Sequence, residues 1–160
     1  MKRIIAIIFL ILTISLVADN NGKNAITLQN LQGEIVHLFD TPNEKPKVFL
    51  FWATWCIPCR EELKQMKSIY KEFSDVVDFI AVSVDDPRTV SKVNSYVRKY
   101  KLPYTILLDT DQQVIRKFGG SVPPFSVVLD QTGNVIYSHS GYRKGDELTL
   151  KKLLLENFSK

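Results

Sequence analysis

The segment VFLFWATWCIPCREELKQM, residues 48 to 66, limits the possible folds more than any other part of the chain, and it holds both cysteines and both tryptophans. Val48 to Trp52 is apolar without interruption, the pattern of a strand buried on both faces and therefore central in its sheet. Beyond the cysteines, Leu63, Met66, Tyr70 and Phe73 recur at i, i+3, i+7 and i+10, which draws one apolar stripe along a helix of about four turns. A central strand running straight into an amphipathic helix places Cys56 and Cys59 in the loop at the strand's carboxyl end, where open α/β sheets put their chemistry.

The rest of the chain supplies matching parts. Phe79 to Val84 is a second apolar run, ending in Asp85-Asp86-Pro87, where Asp86 can cap and Pro87 can start a helix along Val90, Val93, Val97 and Tyr100. Strand, helix, strand in this order predicts parallel pairing with a right-handed crossover. Tyr104 to Asp109 is a third run, followed by a short helix over 111–118 that Gly119-Gly120 can end. Phe125 to Leu129 and Val135 to His139 flank a turn at 130–134, and Leu150, Leu153, Leu154 and Phe158 mark a closing helix. Ahead of the central strand, Ile26 to Phe39 predicts a β-hairpin around Gln32-Gly33 laid against the main domain, with a connector over 41–47. The expected class is α/β, a central mixed sheet flanked by helices with an N-terminal β-hairpin.

Lys2 and Arg3 precede an uncharged run from Ile4 to Ala18, broken by Asp19-Asn20-Asn21-Gly22. Residues 1–18 therefore read as a signal peptide or, because Leu16-Val17-Ala18 is an imperfect cleavage site, an uncleaved N-terminal membrane anchor. No cysteine lies near the end of that run to carry a lipid. Residues 19–160 form one expected domain. Without Lys2 and Arg3 the 21 basic side chains fall to 19 against 17 acidic ones. The basic residues are scattered, with no aromatic interleaving, so no nucleic acid is expected as a partner.

A disulfide between Cys56 and Cys59 would close too short a loop to restrict the unfolded chain much, so stapling explains the pair poorly. At a helix N-terminus, unpaired N–H groups and the helix dipole favour a thiolate, which makes Cys56 the expected nucleophile. Cys59, one turn on, can resolve the mixed disulfide that Cys56 forms with a partner. Pro58 suits the first turn, where a missing N–H costs nothing. Zinc would need about four ligands. His37 and His139 lie far off without metal-ligand spacing, and Arg60 stands where covalent haem would require histidine. No metal and no dissociable cofactor are expected.

Glu62, three residues after Cys59 and four before Met66, lies beside the apolar stripe on the face of Cys59, while Glu61 points about 100° away. A carboxylate partly removed from water has a raised pKa and can accept the resolving thiol's proton. The alternative is a surface glutamate at a helix N-terminus. Trp52 is expected in the core. Trp55 is read either as core or as an apolar wall that shields Cys56 and meets the partner. Pro123-Pro124, before a strand, raises the question of a cis peptide.

Phe51 to Leu63, FWATWCIPCREEL, resembles the active-site segment of the TlpA/ResA-like thiol-disulfide oxidoreductases of the thioredoxin superfamily, and the likeness runs through most of residues 25–158. The resemblance implies a thioredoxin-like fold and an exported, periplasmic or membrane-tethered redox protein, often a reductant in cytochrome c maturation. It assigns Cys56 as nucleophile, Cys59 as resolving thiol, Glu62 as active-site carboxylate, and Pro124 as cis-proline facing the cysteines, with Pro123 the next candidate. Trp55, Pro58, Pro123 and Pro124 form the expected partner-binding set. Lys64 departs from the family, where many relatives have a helix-bending proline, and a straighter helix leaves the aim of Glu62 open.

The function expected is reduction of protein disulfides outside the cytoplasm by a monomer that a membrane electron donor recharges. No basic residue lies between the cysteines, which favours a reductant over a strong oxidant. A peroxiredoxin-like thiol peroxidase is the nearest alternative, although Thr54 lies two residues before Cys56 rather than three. The other is a non-catalytic module that binds metal or a client.

Overall fold

The computed structural model describes residues 26–39 and 45–158. In chain order the elements are β1 (Ile26–Asn30), β2 (Ile35–Leu38), β3 (Lys47–Trp52), α1 (Ile57–Phe73), β4 (Asp78–Ser83), a 3₁₀ turn (Pro87–Thr89), α2 (Val90–Tyr100), β5 (Thr105–Leu108), α3 (Gln113–Lys117), β6 (Phe125–Leu129), β7 (Val135–Ser140) and α4 (Asp146–Phe158). The seven strands form one sheet in the order β2-β1-β5-β4-β3-β6-β7. β4 pairs parallel with both β3 and β5, and the remaining pairs are antiparallel. This is the expected mixed sheet flanked by helices.

Every residue of β3 is buried, because the strand is hydrogen-bonded on both edges and covered on both faces. Phe49 and Phe51, two residues apart and so on one face, pack edge to face at 5.9 Å, with Phe118 5.8 Å from Phe49 and Phe125 6.0 Å from Phe51. Trp52, on the other face, is fully buried 5.1 Å from the Tyr96 ring of α2. Lys47 is buried too, but its ammonium reaches Asp78 at 3.1 Å and lies over the Phe39 ring, so the charge is paired rather than stranded.

Along α1, Leu63, Met66, Ile69 and Phe73 are buried and Tyr70 is half-buried, its ring edge-on to Phe79 and Tyr104. Each buried apolar side chain of this kind contributes ~1.5–3 kcal/mol. The helix runs unbroken through Lys64.

The N-terminal hairpin turns at Gly33, whose φ of +82° suits glycine. The expected hairpin is present and meets the main domain by continuing its sheet, with Gln29 opposite Leu108 and Asn30 opposite Leu107, because β5 would otherwise present a row of unpaired backbone groups at an open edge. The predicted connector is shorter than its expected span, since Lys47 already belongs to β3, and residues 40–44 lie outside the described residues. The expected helix starting at Pro87 opens as a 3₁₀ turn capped by Asp86, whose side chain accepts from the Arg88 N–H at 2.8 Å. Residues 1–18 also lie outside the described residues, so the signal or anchor remains a reading of sequence alone.

Gly120, three residues past the end of α3, approaches β6 closely. A Cβ there would meet Phe125 Cδ1 at 2.5 Å and Ile115 Cγ1 at 2.8 Å. Gly120→Ala is expected to destabilise the fold by ~1–3 kcal/mol through overpacking, read as a lower urea midpoint. An unchanged midpoint would show that the Phe125 ring yields freely.

Candidate active site

The loop leaving β3 is fixed before it reaches the cysteines. Asp85, buried just past β4, accepts from the Thr54 N–H at 2.8 Å and the Thr54 hydroxyl at 2.6 Å, and takes a third bond from the Ser83 hydroxyl at 2.9 Å. The Cys56 N–H donates to the Ala53 carbonyl at 3.1 Å. A carboxylate buried in a sheet this apolar persists only when its lone pairs are taken, and those of Asp85 are. Asp85→Ala would strand the half-buried Thr54 donors at a cost of ~1 kcal/mol. It is expected to lower the thermal midpoint and to make Cys56 react with iodoacetamide less selectively over Cys59 in the reduced protein. A midpoint unchanged by the substitution would mean that the loop holds itself.

Cys56 is the N-cap of α1, and its Sγ accepts from the Cys59 N–H at 3.3 Å. Ile57 and Pro58 follow as the first helical residues, and Pro58 gives up an N–H that the first turn leaves unbonded in any case. No acidic residue lies in that turn to repel a Cys56 thiolate from the positive end of the helix dipole. The two cysteines are joined as a disulfide with their Cα atoms 5.3 Å apart. Cys59 is wholly buried and Cys56 keeps 5% of its surface, so a partner sulfur arrives at Cys56 first. The Cys59 N–H that touches Cys56 Sγ is placed to hold negative charge there once the bond is opened.

Glu62 is neither half-exposed nor a surface glutamate: only 2% of its surface is accessible. Oε1 accepts a short hydrogen bond from the Ser126 hydroxyl of β6, while Oε2 is buried without a partner. Burial is the main reason its pKa is pushed up to about 7. The Ser126 bond pulls the other way, and the charge of Asp146 adds to the rise. With i, i+3 spacing from Cys59 on one helix face, Glu62 is a carboxyl group that loses its proton near neutral pH beside a buried thiol. Lys64, where a bend was in question, leaves the helix regular, and Glu62 points inward. Glu61 is half-buried and accepts from Gln65 at 2.6 Å.

Trp55 is 62% exposed, which removes the core reading and leaves an apolar surface next to Cys56. The cis peptide is Pro123–Pro124, so Pro124, not Pro123, is the cis-proline. Phe51 pairs with Phe125 across β3 and β6, which brings the Pro123-Pro124 loop to the same end of the sheet as the cysteines. His37 bonds Thr27 and His139 bonds Asp146, and no group of three or more potential metal ligands occurs among the described residues. Sequence reasoning missed Ser126 and Asp85. Ser126 had a signal, as the one polar residue in the otherwise apolar FSVVL strand. Asp85 was seen only as a strand end.

The geometry has counterparts among known proteins. The thiol-disulfide oxidoreductase ResA of Bacillus thuringiensis subsp. konkukian is 31% identical over 138 residues, spanning 82% of this chain and 78% of the relative. A DsbE-type thiol:disulfide interchange protein of Chlorobium tepidum superposes with a TM-score of 0.73 at 25% identity, covering 82% of this chain and 92% of that one. A thioredoxin-like protein of Porphyromonas gingivalis does so with a TM-score of 0.70 at 33% identity, over 82% and 88%. The model of the AhpC/TSA family matches residues 20–138. On these grounds the chain belongs to the AhpC/TSA family, among its ResA-like thiol-disulfide oxidoreductases.

Proposed function

We propose that this chain is an extracytoplasmic protein-disulfide reductase working through Cys56 and Cys59. The observation that carries the reading is the unequal setting of the two sulfurs: Cys56 caps the helix and keeps 5% of its surface accessible, while Cys59, bonded to it, keeps none. In the dithiol form the Cys56 thiolate attacks one sulfur of a partner disulfide, a mixed disulfide forms and the other partner sulfur leaves as a thiolate. Glu62, as carboxylate, takes the proton of Cys59. The Cys59 thiolate then attacks Cys56 Sγ, closing the intramolecular disulfide and releasing the second partner thiolate. Two electrons have passed to the partner, and a donor on the membrane returns them. Trp55 and Ile57, 62% and 75% exposed, supply apolar contact beside Cys56, with Pro58, Pro123 and Pro124 completing the partner surface.

The charged start and apolar run of residues 1–18 support export, as a cleaved signal or a retained anchor ahead of a thioredoxin-like domain over 19–160. Reduction of an apocytochrome disulfide to its two thiols, for cytochrome c maturation, is the physiological setting that the ResA likeness favours.

Peroxide is the rival oxidant. Thr54, the hydroxyl nearest Cys56 in sequence, donates to Asp85 and is thereby committed to holding the loop. Reduced full chain offered equal amounts of a peptide disulfide and hydrogen peroxide is expected to reduce the disulfide first, with peroxide reacting at the rate of an ordinary thiol. Oxidation of Cys56 by peroxide far above that rate would replace the reductase by a peroxidase.

A further inference from the structure

Beside the cysteine loop, between the start of α1 and the exposed side of α2, lies an open groove of about 410 Å³. Its near wall is Thr54 and Arg60, and its far side runs along α2 to Lys92, Tyr96, Lys99 and Tyr100. The groove begins at the catalytic loop itself: Arg60 directly follows Cys59, and its guanidinium donates to the Thr54 carbonyl at 2.6 Å. The floor is aromatic, with the Tyr96 and Tyr100 rings 4.4 Å apart, Arg60 6.0 Å from the Tyr96 centroid and Lys99 5.2 Å from that of Tyr100.

Among the described residues three cations line this groove and no carboxylate does, although the whole sequence carries 17 acidic against 21 basic side chains. Of the acids near it, Asp86 pairs with Arg88 at 3.3 Å and also lies in the field of Lys92, while Glu61 accepts from Gln65. From residue 91 to residue 100 the helix advances roughly 14 Å at about 1.5 Å per residue, a length that about four residues of extended chain cover at roughly 3.3 Å each.

We infer that this groove holds an acidic stretch of the partner protein, a short run of aspartates or glutamates flanking the cysteine that Cys56 attacks. The inference rests on the exchange function proposed above and adds to it a class of client. Carboxylates would meet Lys92, Lys99 and Arg60, while the methylenes of the same stretch would lie on the tyrosine rings. Both contacts draw the client disulfide toward Cys56 before any sulfur reacts, so the advantage falls on the bimolecular rate and weakens with salt.

The test uses reduced full-length protein and two synthetic peptides, each with one cysteine capped as its mixed disulfide with 2-mercaptoethanol, one flanked by a run of aspartates and the other by asparagines. At low ionic strength the aspartate peptide is expected to be reduced about tenfold faster, with the ratio falling toward one in high salt. Lys92→Glu with Lys99→Glu should bring the ratio to one or below, whereas reversal at Lys71 and Lys152, away from the groove, should keep it. A ratio of one in the parent, or a preference that survives the Lys92/Lys99 reversal, overturns the inference while leaving the exchange function intact. Reduction of neither peptide overturns the exchange function, and the inference with it.

Discussion

Reduced Cys59→Ser protein, mixed with a disulfide-bearing client, will accumulate a covalent adduct through Cys56 that runs as a distinct species without reductant and disappears with it. Cys56 keeps what it needs for attack, namely its place at the helix cap and the small part of its surface that solvent reaches. What is lost is the internal thiol that releases the client. Groups held in reacting geometry on one molecule reach effective concentrations of ~10⁵ M or more, and no external thiol replaces that. Steady-state turnover should therefore fall by ~10³-fold or more, with the loss confined to release. Cys56→Ser should trap nothing, because its remaining sulfur is wholly buried. Intact-mass measurement of both variants checks the order of attack, and equal trapping through Cys59 would reverse the roles.

Glu62→Gln is expected to change two quantities that share one cause. In the parent, release of the mixed disulfide should accelerate with pH up to about 7, where the buried carboxyl group ionises, and then level off. Glutamine cannot take the Cys59 proton, so that rise should vanish and the plateau should drop by ~10²-fold, the lower end of general-base effects. Initial attack by Cys56 should change less.

Stability moves in the opposite direction. The ordinary pKa of this glutamate is 4.5 and burial lifts it to about 7 in the fold, so the folded chain favours the protonated form. The contribution of that form is complete below the unfolded pKa and is lost as pH rises through the folded one, costing up to about 3 kcal/mol by pH 8. Glutamine stays neutral throughout. Urea midpoints of the oxidised proteins at pH 4 and pH 8 should therefore converge or cross, with Glu62→Gln gaining on the parent at the higher pH. Parallel curves would mean that Glu62 is ionised at no cost and has no raised pKa.

The central strand, the first long helix and the cysteine loop were legible in sequence because they are set by neighbours in the chain: an unbroken apolar run, a stripe at helical spacing, a proline suited to a first turn. The cis bond at Pro124 came from family likeness rather than spacing. The depth of Glu62 was only half legible. Helical geometry placed it beside the apolar stripe, but that β6 closes over it with the Ser126 hydroxyl depends on a strand 64 residues away. The Asp85 brace on Thr54 spans 31 residues and joins the ends of two parallel strands, a register that hydrophobic periodicity does not specify. The hairpin was recognised from its own turn and alternation, but its attachment to β5 follows from which edge the sheet leaves open.

The Tyr104 hydroxyl donates to the Leu63 carbonyl at 2.6 Å, in the second turn of α1. Together with Ser126 on Glu62 and Asp85 on Thr54, it moors the cysteine loop and the start of that helix to β6 and to residues flanking β4 and β5. These bonds resist displacement of the helix start, so opening the disulfide is expected to move the sulfurs and their protons more than the backbone beneath them.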